Sequence, residues 1–179
     1  MDFTTHLTTG AFLAAGLARG HNPEVPVAAA VLGGALLPDL DAGLYVINPG
    51  LYFRYHRIIT HTLVATPLLA AGLAWLIVAL GGGRRFWALF GYALLGLLVH
   101  NALYTLTRYP LRFLLPFSDA NQAIGLVPFH DPYIKGIALV GFLVVFAVPG
   151  PVAGLATAAG LLGMGVRVAA AYLGRGPQY

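Results

Sequence analysis

Cysteine is absent from the 179-residue chain, and charge is scarce, with Lys, Arg, Asp and Glu together at 9%. Without cysteine there is no disulfide, no thiolate metal site and no cysteine nucleophile. Any metal must therefore rest on His, Asp or Glu. A soluble domain is about 25% charged and about 45–50% apolar; this chain is 59% hydrophobic, with a mean hydropathy of +0.80. So few charges cannot cover an 18.8 kDa globule facing water, which makes the chain an integral membrane protein with lipids as its surroundings. The net charge is only +4, and the basic residues are scattered singly. A nucleic-acid footprint needs a patch or stripe of them, so no nucleic-acid partner is expected. Met1-Asp2-Phe3 places no positive region before an apolar core, so no cleavable signal is expected.

What is present is long apolar runs. Thr62 to Leu80 is uncharged and closes on Gly81-Gly82-Gly83-Arg84-Arg85. Phe86 to Thr107 follows, interrupted only by His100 and Asn101. Gly136 to Val166 is uncharged throughout, but Pro149-Gly150-Pro151 divides it into two antiparallel helices, because proline lacks a donor and glycine favours turns. The second helix continues through Arg167 to Leu173, with Arg167 snorkelling or paired. Leu7 to Ala18 and Val25 to Leu37 are apolar but short of a ~30 Å hydrocarbon core. Gly10, Gly16, Gly33 and Gly34 would let these segments pack closely. The expected fold is all-α: a polytopic helical membrane bundle of about six segments, four clear spans plus two short N-terminal ones, in one domain over residues 1–179. If all six segments cross, one side carries Arg54, Arg57, Arg108, Arg112, Lys135 and Arg175, against Arg19, Arg84 and Arg85 on the other. That bias makes the first side cytoplasmic.

The rare polar groups gather at that same end. His6 precedes the first segment, Asp39 and Asp41 follow the second, and His56, Arg57 and His61 precede the third. His100 lies near the end of the fourth and His130-Asp131 just before the fifth; among histidines only His21 falls opposite. Each has an ordinary reading alone: a solvated terminal histidine, a helix stop at Leu37-Pro38-Asp39-Leu40-Asp41, interfacial basic residues meeting lipid phosphates. His100 inside an apolar span is harder to dismiss, since an unpartnered buried imidazole costs a few kcal/mol. Ionisable groups in or beside spans are functional candidates by default. Two carboxylates two positions apart suit a turn in which both aim at one or two cations. His56 and His61 would splay on a single helix, so His56 is expected in the loop and His61 in the first helical turn, near a Thr60 cap. Imidazoles with carboxylates suit a divalent cation, zinc first, with manganese or iron as alternatives. Such a cation lowers the pKa of its water and supplies a nucleophile without serine or cysteine.

Thr5-His6-Leu7, Gly34-Ala35-Leu36-Leu37-Pro38-Asp39-Leu40-Asp41, His56-Arg57 with Thr60-His61-Thr62, His100 and Pro116-Phe117-Ser118 together resemble the YdjM-like family of bacterial or archaeal inner-membrane, metal-dependent hydrolases. The family is similar in fold and ligand pattern to the zinc-dependent phospholipase C and P1 nuclease group. The resemblance implies a helical metal site within residues 1–131 and hydrolysis of a phosphoester or phospholipid at the membrane interface. His6, Asp39, Asp41, His56, His61 and His100 would be the metal ligands. Arg57 or Arg54 would hold a substrate phosphate, and Asp131 would act as general base for a metal-activated water. One position departs from the family pattern: Tyr104 stands where an aspartate is expected, four residues after His100. A catalytically degenerate metal-binding or structural membrane protein is the alternative that this departure raises.

Overall fold

A computed structural model of the chain describes residues 1–18, 25–56, 58–83, 85–148 and 150–174. Its regular structure is helical, in the order α1 (Phe3–Ala18), α2 (Val25–Leu36), a 3-10 helix (Leu37–Gly43), α3 (Leu44–Ile47), α4 (Pro49–Tyr55), α5 (Ala65–Ala79), α6 (Phe86–Thr105), α7 (Pro132–Ala147) and α8 (Pro151–Leu173). Among the described residues, three helical stretches are long and apolar enough to cross a membrane: Val25–Ile47, Phe86–Thr105 and Pro151–Leu173. The apolar helices Ala65–Ala79 and Pro132–Ala147 are shorter. Arg19, His21, Arg57, Arg84 and Arg175, named above for the charge bias or the polar end, lie outside the described residues.

The helix ends follow from local chemistry. Asn48 caps α4 by accepting from the Gly50 and Leu51 amides, with Pro49 in the first turn where its missing N–H costs nothing. Asp131 and Pro132 open α7 in the same way. Gly150 takes φ +61°, a conformation that favours glycine, and turns the chain from α7 into α8. The apolar pattern starts the third span at Thr62, with His61 in its first turn; α5 begins instead at Ala65. His61 sits in a preceding turn, because the Thr62 hydroxyl accepts from the Ala65 amide and the Leu63 amide is tied to the Phe113 carbonyl at 2.7 Å. The expected loop between residues 39 and 59 is itself mostly helical.

α2 lies against α1, α5 and α6, while α7 bridges α1 and α8. Phe12 of α1 is fully buried and fills the space left by two glycines, Gly141 of α7 and Gly160 of α8. The contact that sets the site is between α2 and α6. A Cβ on Gly34 would collide with the Ala93 carbonyl oxygen. One on Gly96 would collide with the Val31 carbonyl oxygen and lie 2.8 Å from the Ala35 nitrogen. The two backbones therefore touch directly, as small residues permit between membrane helices. That approach brings His100 of α6 under the last turn of α2.

Gly96→Ala is expected to lower the thermal midpoint of the detergent-solubilised protein, by a cost of about 1–3 kcal/mol for forced repacking. Gly91→Ala, on the same helix where a Cβ would meet nothing within 4 Å, is expected to leave the midpoint unchanged or raise it. Equal effects from both would refute the close contact.

Candidate metal centre

His100 is fully buried in the last turns of α6. Its Nδ1 lies 2.7 Å from the Ala35 carbonyl oxygen, and a carbonyl only accepts, so Nδ1 carries the proton. In the neutral ring, Nε2 therefore keeps a lone pair. His61 reaches the same state by a longer route. The Thr60 hydroxyl donates its one hydrogen to Asp41 Oδ2 at 2.9 Å, so its oxygen accepts from His61 Nδ1, also at 2.9 Å. Burial pushes the His61 imidazole below its ordinary pKa, outweighing the nearby Asp39 carboxylate, and so favours the neutral ring that metals take. The result is two Nε2 lone pairs facing each other 3.0 Å apart. They repel unless a proton or a cation lies between them.

The surrounding donors favour a cation. Asp39 Oδ1 is 3.5 Å from His61 Nε2 and 3.7 Å from His100 Nε2. Zinc–nitrogen bonds of about 2.0–2.1 Å put neighbouring ligand atoms roughly 3 Å apart or slightly more, close to this spacing. His6 of α1 is buried and stacks on His100 with ring centroids 3.9 Å apart. Neither of its ring nitrogens has a hydrogen-bond partner among the described residues. One ligand atom from each of His6, Asp39 and His100 lies within 4.8 Å of the others, so this buried group could hold a metal ion. A bond to a cation would satisfy the otherwise costly His6 imidazole. The residues present therefore fit a divalent metal.

The other residues that the sequence marks for the site separate into different places. A 3-10 helix turns three residues per revolution, so Asp39 and Asp41 leave its axis in different directions and do not share partners. Asp39 faces the histidines, whereas Asp41 binds His56 Nδ1 at 2.6 Å and Thr60. Asp41 thus acts on the cluster through Thr60 and His61. His56 lines a cleft of about 300 Å³ beside the cluster, together with Met1, Asp2, Asp39, Tyr52 and Tyr104. Arg54 is exposed on α4, with its guanidinium over the Tyr55 ring. Asp131, expected as a general base, sits among structural contacts away from the cluster. It is fully buried, one oxygen accepts from the Tyr133 and Ile134 amides, and the other binds Arg167 at 2.6 Å. A carboxylate committed to a helix cap and a guanidinium is not placed to take a proton from water at the histidine cluster.

Two residues gain roles that the sequence does not assign. Tyr104 is buried, packs against His6 and His61, and points its hydroxyl at Asp39 Oδ1, 3.4 Å away. The position of the expected aspartate is thus still in the site, occupied by a phenol. Asp2 caps α1 through the Thr5 amide and accepts from the hydroxyls of Thr4 and Thr5. It also pairs with Lys135 at 3.0 Å and His130 at 3.2 Å, which joins the start of α1 to the start of α7. Burial opposes its charge, but these hydrogen bonds prevail and hold the Asp2 carboxyl well below the usual carboxylate range. An aspartate immediately before an apolar helix is the capping signal that marks it.

Thr60→Val should weaken metal binding by about 10- to 100-fold, the usual cost of losing a group that orients a ligand, while leaving the helices folded. Titration of the metal-stripped protein with zinc, beside circular dichroism, measures both. An unchanged affinity would refute the Asp41–Thr60–His61 chain. Asp2→Ala should cost about 1 kcal/mol or more of stability at neutral pH through loss of the cap. Because the folded-state pKa of Asp2 is depressed, its contribution is complete above the ordinary value of 3.8 and is lost as pH falls below it. The gap in thermal midpoint between wild type and variant should therefore narrow in acid.

Comparison with known proteins agrees with this architecture. Over 141 residues the chain is 29% identical to the uncharacterized protein YfhP of Bacillus subtilis (strain 168), covering 75% of this chain and 43% of that protein. The chain thus spans less than half the length of that relative. No solved structure matches it. The YdjM inner membrane protein model matches residues 1–174. With apolar helices long enough to span a bilayer and a match over nearly its whole length, the chain is an integral inner-membrane protein that belongs to the YdjM family.

Proposed function

We propose that this protein is a membrane-bound, metal-dependent hydrolase that cleaves a phosphoester or phospholipid at the membrane interface. The observation that carries the proposal is the pair of facing Nε2 lone pairs on His61 and His100, beside Asp39 and the unpartnered His6. These four side chains would hold the cation, with zinc the first choice and manganese or iron the alternatives. When bound, such a cation activates water and polarises a phosphoryl oxygen.

The chain's own groups supply the rest. The cleft beside the cluster is the substrate pocket in this reading. His56 lines it with Nδ1 tied to Asp41, which leaves its other nitrogen as the proton acceptor. Arg57, adjacent to His56 in sequence, is the guanidinium assigned to the substrate phosphate. A lipid substrate is supported by the apolar rim. Phe3 and Leu40 are exposed on segments that line the cleft, and Tyr45, Val46 and Ile47 on α3, which packs against two of those segments. Such a rim suits a surface that meets the hydrocarbon boundary, where an ester-linked headgroup enters from the side.

Tyr104 favours a second reading. A phenol in place of a carboxylate removes a negative charge and a bridging ligand, which suits a metal-binding protein that has lost turnover. Elemental analysis of detergent-purified wild type, Asp39→Asn and His61→Ala separates the possibilities, followed by phospholipid and phosphodiester assays. The hydrolase reading expects about one or more equivalents of metal in wild type, loss in both variants, and turnover that follows the metal. Metal without turnover on the whole panel selects the second reading. Wild type that stays metal-free after reloading with zinc, manganese and iron sinks both.

A further inference from the structure

A second cavity, of about 510 Å³, lies between the end of α8 and the chain that follows α6. It shares no lining residue with the cleft beside the histidine cluster. Two arginines line it: Arg108, just past the end of α6, and Arg167, six residues before the end of α8. The rest is mainly apolar or backbone, with Leu126, Val127 and Ala171 among the lining residues.

Arg108 is exposed and has no carboxylate partner among the described residues. Its position is set by Gly125, whose φ of +64° lets the returning chain pass with the missing Cβ site 3.0 Å from Arg108 Cγ. Arg167 is held in place by Asp131, which takes only its Nη2. Its Nε is buried with no hydrogen-bond partner among the described residues. A guanidinium offers five donors in a rigid fork matched to phosphate, and this one lines the cavity while giving Asp131 only its Nη2.

Depth and surroundings identify the ligand class. Arg167 lies six residues, about 9 Å, before the end of α8, and its guanidinium reaches out to Asp131 at the start of α7, toward the headgroup level where Arg108 follows the end of α6. The outward face of α8 is exposed and apolar at Leu155, Leu162, Val166 and Leu173, a track along which an acyl chain can lie. We propose that Arg108 and Arg167 form a binding site for the phosphate of an anionic phospholipid, separate from the metal centre. A free phosphate ion would use the two guanidinium groups but not the apolar track. The site thus holds a lipid at the bundle end, whether or not the metal centre turns over substrate.

The test is retention of added phosphatidylglycerol against phosphatidylcholine of the same acyl chains, measured by native mass spectrometry of the delipidated full chain. Wild type, Arg108→Gln, Arg167→Lys and Arg112→Gln are compared. Arg112 is an exposed arginine that does not line the cavity, so its variant controls for charge alone. Arg167→Lys keeps a cation beside Asp131 and removes the fork. The expected result is a clear preference for phosphatidylglycerol, reduced about tenfold to a hundredfold in Arg108→Gln and Arg167→Lys and unchanged in Arg112→Gln. Equal retention of both lipids, or equal losses in all three variants, would overturn the site. Thermal stabilisation by inorganic phosphate matching that by phosphatidylglycerol would overturn the lipid assignment. None of these readouts depends on metal or turnover, so failure here is distinct from failure of the hydrolase reading.

Discussion

The direct contact between the α2 and α6 backbones is the constraint on which the rest depends. Gly34 and Gly96 leave no side chain between the helices, so the Ala35 carbonyl comes within hydrogen-bonding reach of His100. That bond decides which nitrogen of His100 holds the proton, and hence which nitrogen faces His61 and Asp39. A wider interhelical spacing would leave His100 as an unpartnered imidazole in an apolar span. Helix packing and site chemistry are therefore one problem in this fold.

Around that contact, polar groups are organised in two layers. The inner layer is His6, Asp39, His61 and His100, all buried and drawn from four separate chain segments. Behind it, Asp41, Thr60 and the Ala35 carbonyl orient the histidines. Orientation by such groups matters because a ligand nitrogen is useful only when its proton is committed elsewhere. Asp2 extends the same logic to α1. By capping that helix and pairing with Lys135, it ties the segment that carries His6 to the start of α7. The Asp131–Arg167 pair does the corresponding work between α7 and α8, at the edge of the second cavity.

The helical class, the apolar segments and the break at Pro149-Gly150-Pro151 were legible in the sequence, because each rests on local properties; which segments are long enough to span was not, since Val25–Ile47 reaches span length only through the 3-10 turn and α3. Hydrophobic runs read their own length, and a proline removes its donor wherever it falls. The convergence of His6, Asp39, His61 and His100 was legible too, since alternating segments return their ends to one side. The partition within that polar set was not. Asp39 and Asp41 look equivalent in sequence, and so do His56 and His61. Asp131 looks as available as either carboxylate until Arg167, far away in the chain, is seen to occupy it.

Sequence alone thus determined a helical inner-membrane bundle, its scarcity of charge and the gathering of histidines and acids at one end. Those properties follow from composition and from the order of apolar and polar segments. Only the tertiary structure decided which carboxylate meets the histidines, which histidine nitrogens are free, and that Tyr104 remains in the site. Each of those outcomes turns on angles and contacts between segments distant in the chain. The 3-10 turn after α2 swings Asp41 away from Asp39, and two glycines bring α6 close enough to fix a proton. Neither effect is written in any single stretch of residues.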